Sequence, residues 1–303
     1  MNERGHDEVA QLRPSGADET VPRARARLHN ETYAEAHRRV LEHPYFALRQ
    51  QSDALLAVLD DIFEPNAREL LELLQRAASD LNFAMELVQN VRPPIVGDEF
   101  RANVHQRLHN YLAATFSLVE HTQAIMSRRE RTVDPSDDSL RLAWDEQKQS
   151  RLTSPAMTFM KDLRRYIQHY SVVPFGHTVS VDRPNTATSS FSSEVMLDVA
   201  ALLEWRGWTA RSRAFLDSCD AVELRALVIE YREAIVVLNQ WFYNELVRES
   251  SPLLDEFNEL VAASNAALAG ISIEEARVRT AARTAQLSYD RPGIREQPPE
   301  DGA

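Results

Sequence analysis

From Asn30 onward, hydrophobic positions recur every three to four residues, a period that predicts amphipathic α-helices with one buried face. In the first half this pattern predicts helices over about residues 30–42, 48–64, 65–90 and 98–129, and a shorter one around 140–147. In the second half it predicts helices over about residues 193–204, 208–217, 220–246, 252–269 and 272–288. The chain is therefore expected to be built almost entirely of helices.

Residues 153–174 predict one further helix with clear boundaries at both ends. Ser154 followed by Pro155 is typical of a helix start, because serine caps the first turn and proline fits its first position. Pro174 is a stop signal, since proline cannot continue a helix. His169 falls in the last turn, where the helix dipole favours a protonated side chain.

Only one stretch departs from the helical period, directly after Pro174. Residues 177–181 alternate like a strand, residues 182–185 have turn chemistry, and residues 186–191 could return as a second strand. The predicted fold is an all-α helical bundle with one β-hairpin insertion and disordered tails. In chain order we expect a tail, a bundle, the hairpin, a second helical layer and a tail, over residues 1–29, 30–174, 175–192, 193–289 and 290–303.

Composition narrows the function classes. A single cysteine excludes a disulfide framework and any multi-cysteine metal site, and favours a reducing, cytoplasmic setting. The chain contains only 8 glycines and has no glycine-rich phosphate loop, so no nucleotide cofactor is expected. No other cofactor and no metal are expected either. No apolar run is long enough to span a membrane. The net charge of -12 argues against broad, nonspecific nucleic-acid binding but leaves room for a small basic cleft.

The most distinctive chemistry lies in Arg164-Arg165-Tyr166-Ile167-Gln168-His169. Arginine binds phosphate oxygens through paired N–H groups, and histidine transfers protons near neutral pH, so the two can cleave RNA without a metal. On a regular helix Arg164 and His169 differ by roughly 140° around the axis, whereas Arg165 and His169 share a face. A kink at the last turn would favour Arg164 as the phosphate partner, and a regular helix would favour Arg165.

This run resembles the HEPN superfamily, helical-bundle ribonucleases with an arginine, four to six residues and then a histidine on a late helix. The resemblance covers about residues 95–174, and the family position after the arginine, usually Asn, Asp or His, is Arg165 here. It implies a metal-independent endoribonuclease or RNA-binding protein of stress, toxin–antitoxin or defence systems. It also implies a homodimer, in which two copies of the histidine face each other.

The resemblance implies Arg164, Arg165 and His169 as catalytic residues. Substrate contacts are expected from residues beside the motif and on the preceding long helix, namely Lys161, Tyr166, Arg107, Asn110 and His121. The alternative is a non-enzymatic acidic helical scaffold that binds a protein partner. In that case the same Arg and His side chains would cap the helix end and pair with Asp162 or Glu120.

Overall fold

The structure is a computed structural model that describes residues 32–88, 95–132, 139–182 and 190–289. The predicted tails at 1–29 and 290–303 lie outside the described residues. The fold is mainly α-helical with one small antiparallel sheet, which confirms the predicted fold class. The helices are α1 Tyr33–Glu42, α2 Pro44–Ala57, α3 Glu64–Ser79, α4 Leu81–Val88, α5 Ile95–Thr132, α6 Ser139–Leu152, α7 Pro155–His169, α8 Val199–Leu203, α9 Ala210–Asp217, α10 Leu224–Ser250, α11 Leu254–Ala269 and α12 Ile273–Tyr289.

The chain forms two compact units. Among the described residues, one unit joins 32–47 with 251–289, in which α1 and α12 both pack on α11. Its small core is built by Val40, Phe257, Leu260 and Ala263. The other unit is the continuous segment Leu48–Ser250. This grouping differs from the predicted order of a bundle over 30–174 and a layer over 193–289, because α1 buries its apolar face against α11.

The larger unit is organised around the long helices α5 and α10. Helices α3 and α7 pack on α5, α6 packs on α10, and α9 packs on α7. Most apolar residues of α5 and α10 are buried, and Tyr111 meets Tyr231 edge-on with ring centroids 6.3 Å apart. On the α6 side, Trp144 packs edge-on against Phe242 at 5.2 Å. Helix α7 packs on both α5 and α10, so the two long helices support its inner side.

The three-stranded sheet follows α7. Strands β1 Phe175–Asp182 and β2 Ser190–Leu197 pair antiparallel, with Phe175 opposite Leu197, and β3 Val222–Glu223 pairs with the end of β2. The hairpin is confirmed, but the helix predicted from residue 193 was wrong up to Leu197. Ser193, Val195 and Leu197 are buried in alternation with exposed or partly exposed neighbours, a two-residue period that fits a strand.

A second difference concerns the helix predicted over 65–90. The structure ends α3 at Ser79 and starts α4 at Leu81, with Asp80 in an extended conformation between them. The Asp80 carboxylate accepts a hydrogen bond from the backbone N–H of Phe83 at 3.1 Å. Aspartate is a strong helix N-cap because it satisfies a free N–H of the first turn, so the break occurs at this residue.

Candidate functional site

Helix α7 begins and ends as its sequence predicts. The Ser154 hydroxyl accepts a hydrogen bond from the backbone N–H of Met157 at 3.2 Å, and Pro155 occupies the first turn. The helix continues without interruption to His169, and the N–H of Tyr170 still bonds to the carbonyl of Tyr166. A regular helix therefore puts residues four apart on one face, which decides how the motif is arranged.

Asp162 fastens the inner side of α7 to α9. Its side chain is buried, and one carboxylate oxygen, Oδ2, accepts three hydrogen bonds. The donors are the backbone N–H of Thr209 at 3.0 Å, the hydroxyl of Thr209 at 2.7 Å and the hydroxyl of Ser212 at 2.7 Å. Because Thr209 is the N-cap of α9, Asp162 holds the start of that helix in place.

The side chain of Arg164 packs against α5 and does not lie on the exposed side of α7. Its guanidinium lies over the ring of Phe116 on α5, 3.4 Å from the centroid, which is a cation–π contact. Burial lowers the pKa of Arg164, and the charge of Glu120 opposes that effect. The Nε of Arg164 is buried without a hydrogen-bond partner. This arginine thus binds α7 to α5.

Arg165 lies on a different side of α7. Its guanidinium donates to the backbone carbonyl of Gly207, lies 3.7 Å from the Asp162 carboxylate and faces the ring of Trp205 at 5.7 Å. A Cβ at position 207 would collide with the Trp205 ring, so a larger residue fits there only if that ring moves. Arg165 is nevertheless 48% exposed and can present N–H groups to a ligand.

The exposed face of α7 is basic. From residue 161 to the end of the helix, the exposed residues are Lys161, Arg165, Gln168 and His169, none of which is acidic. Lys161, Arg165 and His169 follow one another at four-residue spacing, so a regular helix aligns them in one row. We call these three residues the α7 basic face. In a protein with a net charge of -12, this row is a local reversal of sign.

Two further arginines flank the α7 basic face. Arg206 is exposed and directly precedes Gly207, whose carbonyl binds Arg165. Arg211 on α9 donates to the carbonyl of Thr153, just before α7 begins. The guanidinium groups of Arg206 and Arg211 add positive charge beside the middle and the start of the α7 basic face. The structure thus brings together three predicted site residues, Lys161, Arg165 and His169, and places Arg164 apart from them.

A cavity of about 540 Å³ opens at the C-terminal end of α7. We call it the α7-end cavity. Its walls come from α5, from the end of α7, from the following linker and from the start and end of α8: Arg101, His105, Tyr166, Tyr170, Ser171, Val172, Val173, Pro174, Phe175, Asp198, Ala201 and Glu204. Tyr170, which lines it, is the residue directly after His169.

An aromatic cluster forms the base of this cavity. Tyr166 is buried and stacks on Trp208, with ring planes only 7° apart and centroids 5.5 Å apart. Tyr170 lies 5.2 Å from Tyr166 and 6.1 Å from Trp205. Burial raises the pKa of the Tyr166 hydroxyl. Tyr166 therefore shapes the cavity, whereas the 52% exposed Tyr170 is open to a ligand.

The remaining predicted site residues lie on α5. Arg107 donates to the backbone carbonyl of Glu69 on α3 at 2.6 Å, which connects these two helices. Asn110 and His121 are exposed on α5. None of the three lines the α7-end cavity.

Several residues at the site were not predicted. Arg101, His105 and Glu204 line the α7-end cavity, and Tyr170 forms its exposed aromatic wall. The Nε2 of His105 bonds to the carbonyl oxygen of Val173 at 2.9 Å and so fixes the linker after α7. Only Tyr170 had a local signal, since it directly follows His169 in the chain.

A second cavity, of about 680 Å³, lies between α3 and α10. It is lined by four arginines and three carboxylates among other residues: Arg68, Arg76, Arg225, Arg232, Glu64, Glu72 and Asp80. Arg232 donates through Nε and Nη2 to one oxygen of Glu64 at 2.9 and 2.5 Å. Since its charges largely compensate one another, this cavity is a weaker candidate than the end of α7.

The chain matches no protein-family model, no curated protein and no solved structure. Within the described residues, no group of three or more His, Cys, Asp and Glu side chains is arranged to hold a metal ion. Among the described helices, none is long and apolar enough to cross a membrane.

Proposed function

We propose that this protein is a HEPN-like RNA-binding protein and metal-independent endoribonuclease that engages the RNA backbone with the α7 basic face. The observation that supports the proposal is the regular course of α7 to its last residue. It aligns Lys161, Arg165 and His169 on one exposed side, with two cations followed by a titratable group. The two cations can bind backbone phosphates, and the histidine can accept the proton of a reacting 2′-hydroxyl.

Charge supports binding of a short RNA segment rather than long nucleic acid. Nonspecific affinity for nucleic acid rises with the number of phosphates that Lys and Arg neutralise. Lys161, Arg165 and Arg206 offer a few such contacts, while the protein as a whole is acidic. RNA single strands and loops are better suited to such a small patch than an extended duplex.

In the proposed reaction, His169 takes the proton of a ribose 2′-hydroxyl, and the resulting oxygen attacks the neighbouring phosphorus. The bond from phosphorus to the 5′-oxygen breaks, which gives a 2′,3′-cyclic phosphate and a 5′-hydroxyl end. Arg165, which shares the face of His169, stabilises the charge that builds on the phosphate oxygens. The departing 5′-oxygen needs a proton donor, and we propose His169 of a second copy in a homodimer for this role.

Arg164 has a positioning role in this proposal. Its contact with Phe116 holds α7 against α5, which fixes where the last turn and His169 stand. In this proposal the phosphate is bound by Arg165, the second arginine of the motif, and not by Arg164, the first. It follows from the roughly 140° that separate Arg164 and His169 around a regular helix.

Fluorescence anisotropy with a labelled single-stranded RNA tests the binding part. Lys161→Gln should weaken binding and reduce the salt dependence of the affinity by about one released ion. Lys148→Gln is the matched control, because Lys148 is a partly exposed lysine on α6 that pairs with Asp145. Equal affinity and equal salt dependence for both variants would contradict RNA binding by the α7 basic face.

A second candidate function is a non-enzymatic helical scaffold that binds a protein partner. The observation that favours it is that both motif arginines contact the protein itself, Arg164 at Phe116 and Arg165 at the Gly207 carbonyl. In that case His169→Ala should leave RNA unaffected and instead weaken a protein contact or lower the melting temperature. A variant that folds normally and keeps its partners would leave this second function without support.

A further inference from the structure

We infer that the α7-end cavity binds a nucleobase, and that it prefers a base with adjacent N–H donors, guanine above all. The inference rests on the proposed function, because it assigns to this cavity the nucleotide next to the phosphate at His169. Tyr170 lines the cavity and directly follows His169 in the chain, so the proposed base site and the proposed phosphate site are both at the C-terminal end of α7.

The dimensions of the cavity suit a nucleotide. Its volume of about 540 Å³ lies within the range of small-molecule sites, roughly 300 to 1,000 Å³. Its walls combine aromatic rings, a cation and two carboxylates, which is the mixture that a flat, polar-edged base with a phosphate would need. The linker that forms one side is fixed by the bond from His105 to the carbonyl of Val173. The cavity is thus formed before a ligand arrives.

Tyr170 supplies the stacking surface. It is 52% exposed, yet its ring is held from behind by Tyr166 at 5.2 Å and by Trp205 at 6.1 Å. A ring that is held on one side and open on the other can stack on a base with little loss of its own freedom. Stacking alone does not distinguish bases, because every base has a π face.

Glu204 supplies the discrimination. Two carboxylates line the cavity, but Oδ1 of Asp198 already accepts the backbone N–H of Ala201 at 3.0 Å and caps α8. Glu204 is exposed at the end of α8, and its charge contributes to the raised pKa of Tyr166. A carboxylate has two acceptor oxygens side by side, which match the ring N–H and exocyclic amino group of guanine. Uracil offers only one N–H and no amino group.

Arg101 supplies the anchor for phosphate. It is exposed on α5, one helical turn before His105, and lines the same cavity. An arginine binds a phosphate through two parallel N–H bonds. Arg101 and Glu204 therefore present opposite charges to one ligand, which sets the direction in which a nucleotide can enter.

Isothermal titration calorimetry of the full chain with GMP, UMP, guanosine and inorganic phosphate tests the inference. GMP should bind with saturation and more tightly than UMP, and Glu204→Gln should remove most of that difference. Tyr170→Ala should weaken GMP by about tenfold, as expected for the loss of one stacked base, whereas Tyr170→Phe should bind like the unaltered protein. Glu146→Gln is the matched control, since Glu146 is an exposed carboxylate on α6.

The inference is overturned if GMP gives no saturable heat at millimolar concentration, or if phosphate alone binds as well as GMP. It is also overturned if Glu204→Gln and Glu146→Gln keep the same preference for GMP over UMP. Its failure is distinguishable from failure of the proposed function. GMP binding without RNA cleavage would leave the nucleotide site standing, and RNA cleavage without GMP binding would remove only this site.

Discussion

Replacing Asp162 with alanine should strongly destabilise the larger unit, because it removes the acceptor for three buried or partly buried donors. Those donors are the N–H and hydroxyl of Thr209 and the hydroxyl of Ser212, at 3.0, 2.7 and 2.7 Å from one carboxylate oxygen. Ser212 is fully buried, so water cannot replace the lost bond. The change also removes the carboxylate that lies 3.7 Å from Arg165.

The size of the effect follows from these three bonds. A hydrogen bond to a charged group contributes about 1.5 kcal/mol at the lower end of its range, so three give roughly 4.5 kcal/mol. The hydroxyls of Thr209 and Ser212 stand 3.1 Å apart and can bond to each other after the change, which recovers part of the loss. We therefore expect a loss of about 3 kcal/mol in the free energy of unfolding. For a unit the size of Leu48–Ser250, that corresponds to roughly 6 to 12 °C in melting temperature.

Urea unfolding followed by tryptophan fluorescence measures this effect, since Trp208 directly precedes Thr209. Asp162→Asn keeps the shape and one acceptor oxygen but loses the charge, so it should fall between the unaltered protein and Asp162→Ala. Asp145→Ala is the matched control, because Asp145 is an exposed partner of Lys148 and should change stability by less than about 1 kcal/mol. Equal stabilities of Asp162→Ala and Asp145→Ala would refute the role assigned to Asp162.

Three further outcomes are expected. Phe159→Ala should cost about 3 to 5 kcal/mol in urea unfolding, since Phe159 is fully buried against Trp208 and Phe215, whereas Phe159→Leu should cost less. Gly207→Ala should destabilise by about 1 to 3 kcal/mol and disturb Trp205 fluorescence, because the added carbon would collide with that ring, and an unchanged melting curve would contradict this. Burial lowers the pKa of His177 from its ordinary 6.5. The stability that the neutral His177 contributes is therefore fully present above pH 6.5 and is lost as the pH falls through the lower pKa of the folded state. His177→Gln should flatten the pH profile of the melting temperature in this range.

The boundaries of α7 could be predicted from the sequence because its start and end are fixed by local chemistry. Ser154 and Pro155 act within the first turn, and the helix needs no distant partner to begin there. Strand β2 could not be predicted in the same way. The apolar positions Val195, Val199 and Leu202 fit a helical period, and only pairing with β1 decides that residues 190–197 are a strand.

In the candidate site, too, some features follow from the local sequence and others depend on contacts between distant segments. Lys161, Arg165 and His169 share a face by spacing alone, so their alignment follows from any regular helix. The position of Arg164 depends on Phe116 and Tyr231, which belong to other helices. The α7-end cavity is assembled from three separate segments of the chain, and neither Arg101 nor Glu204 has a neighbour in the sequence that marks it as part of a site.

The proposed endoribonuclease activity requires His169 to transfer a proton to or from RNA at the end of α7. Incubation of purified protein with single-stranded RNA in excess EDTA, analysed on a denaturing gel, tests it most directly. His109→Ala is the matched control, because His109 is an exposed histidine elsewhere on α5. Proton transfer by His169 predicts cleavage to 2′,3′-cyclic phosphate ends by the unaltered protein and by His109→Ala, and no cleavage by a normally folded His169→Ala. No cleavage by the unaltered protein, or equal cleavage by all three, would contradict it.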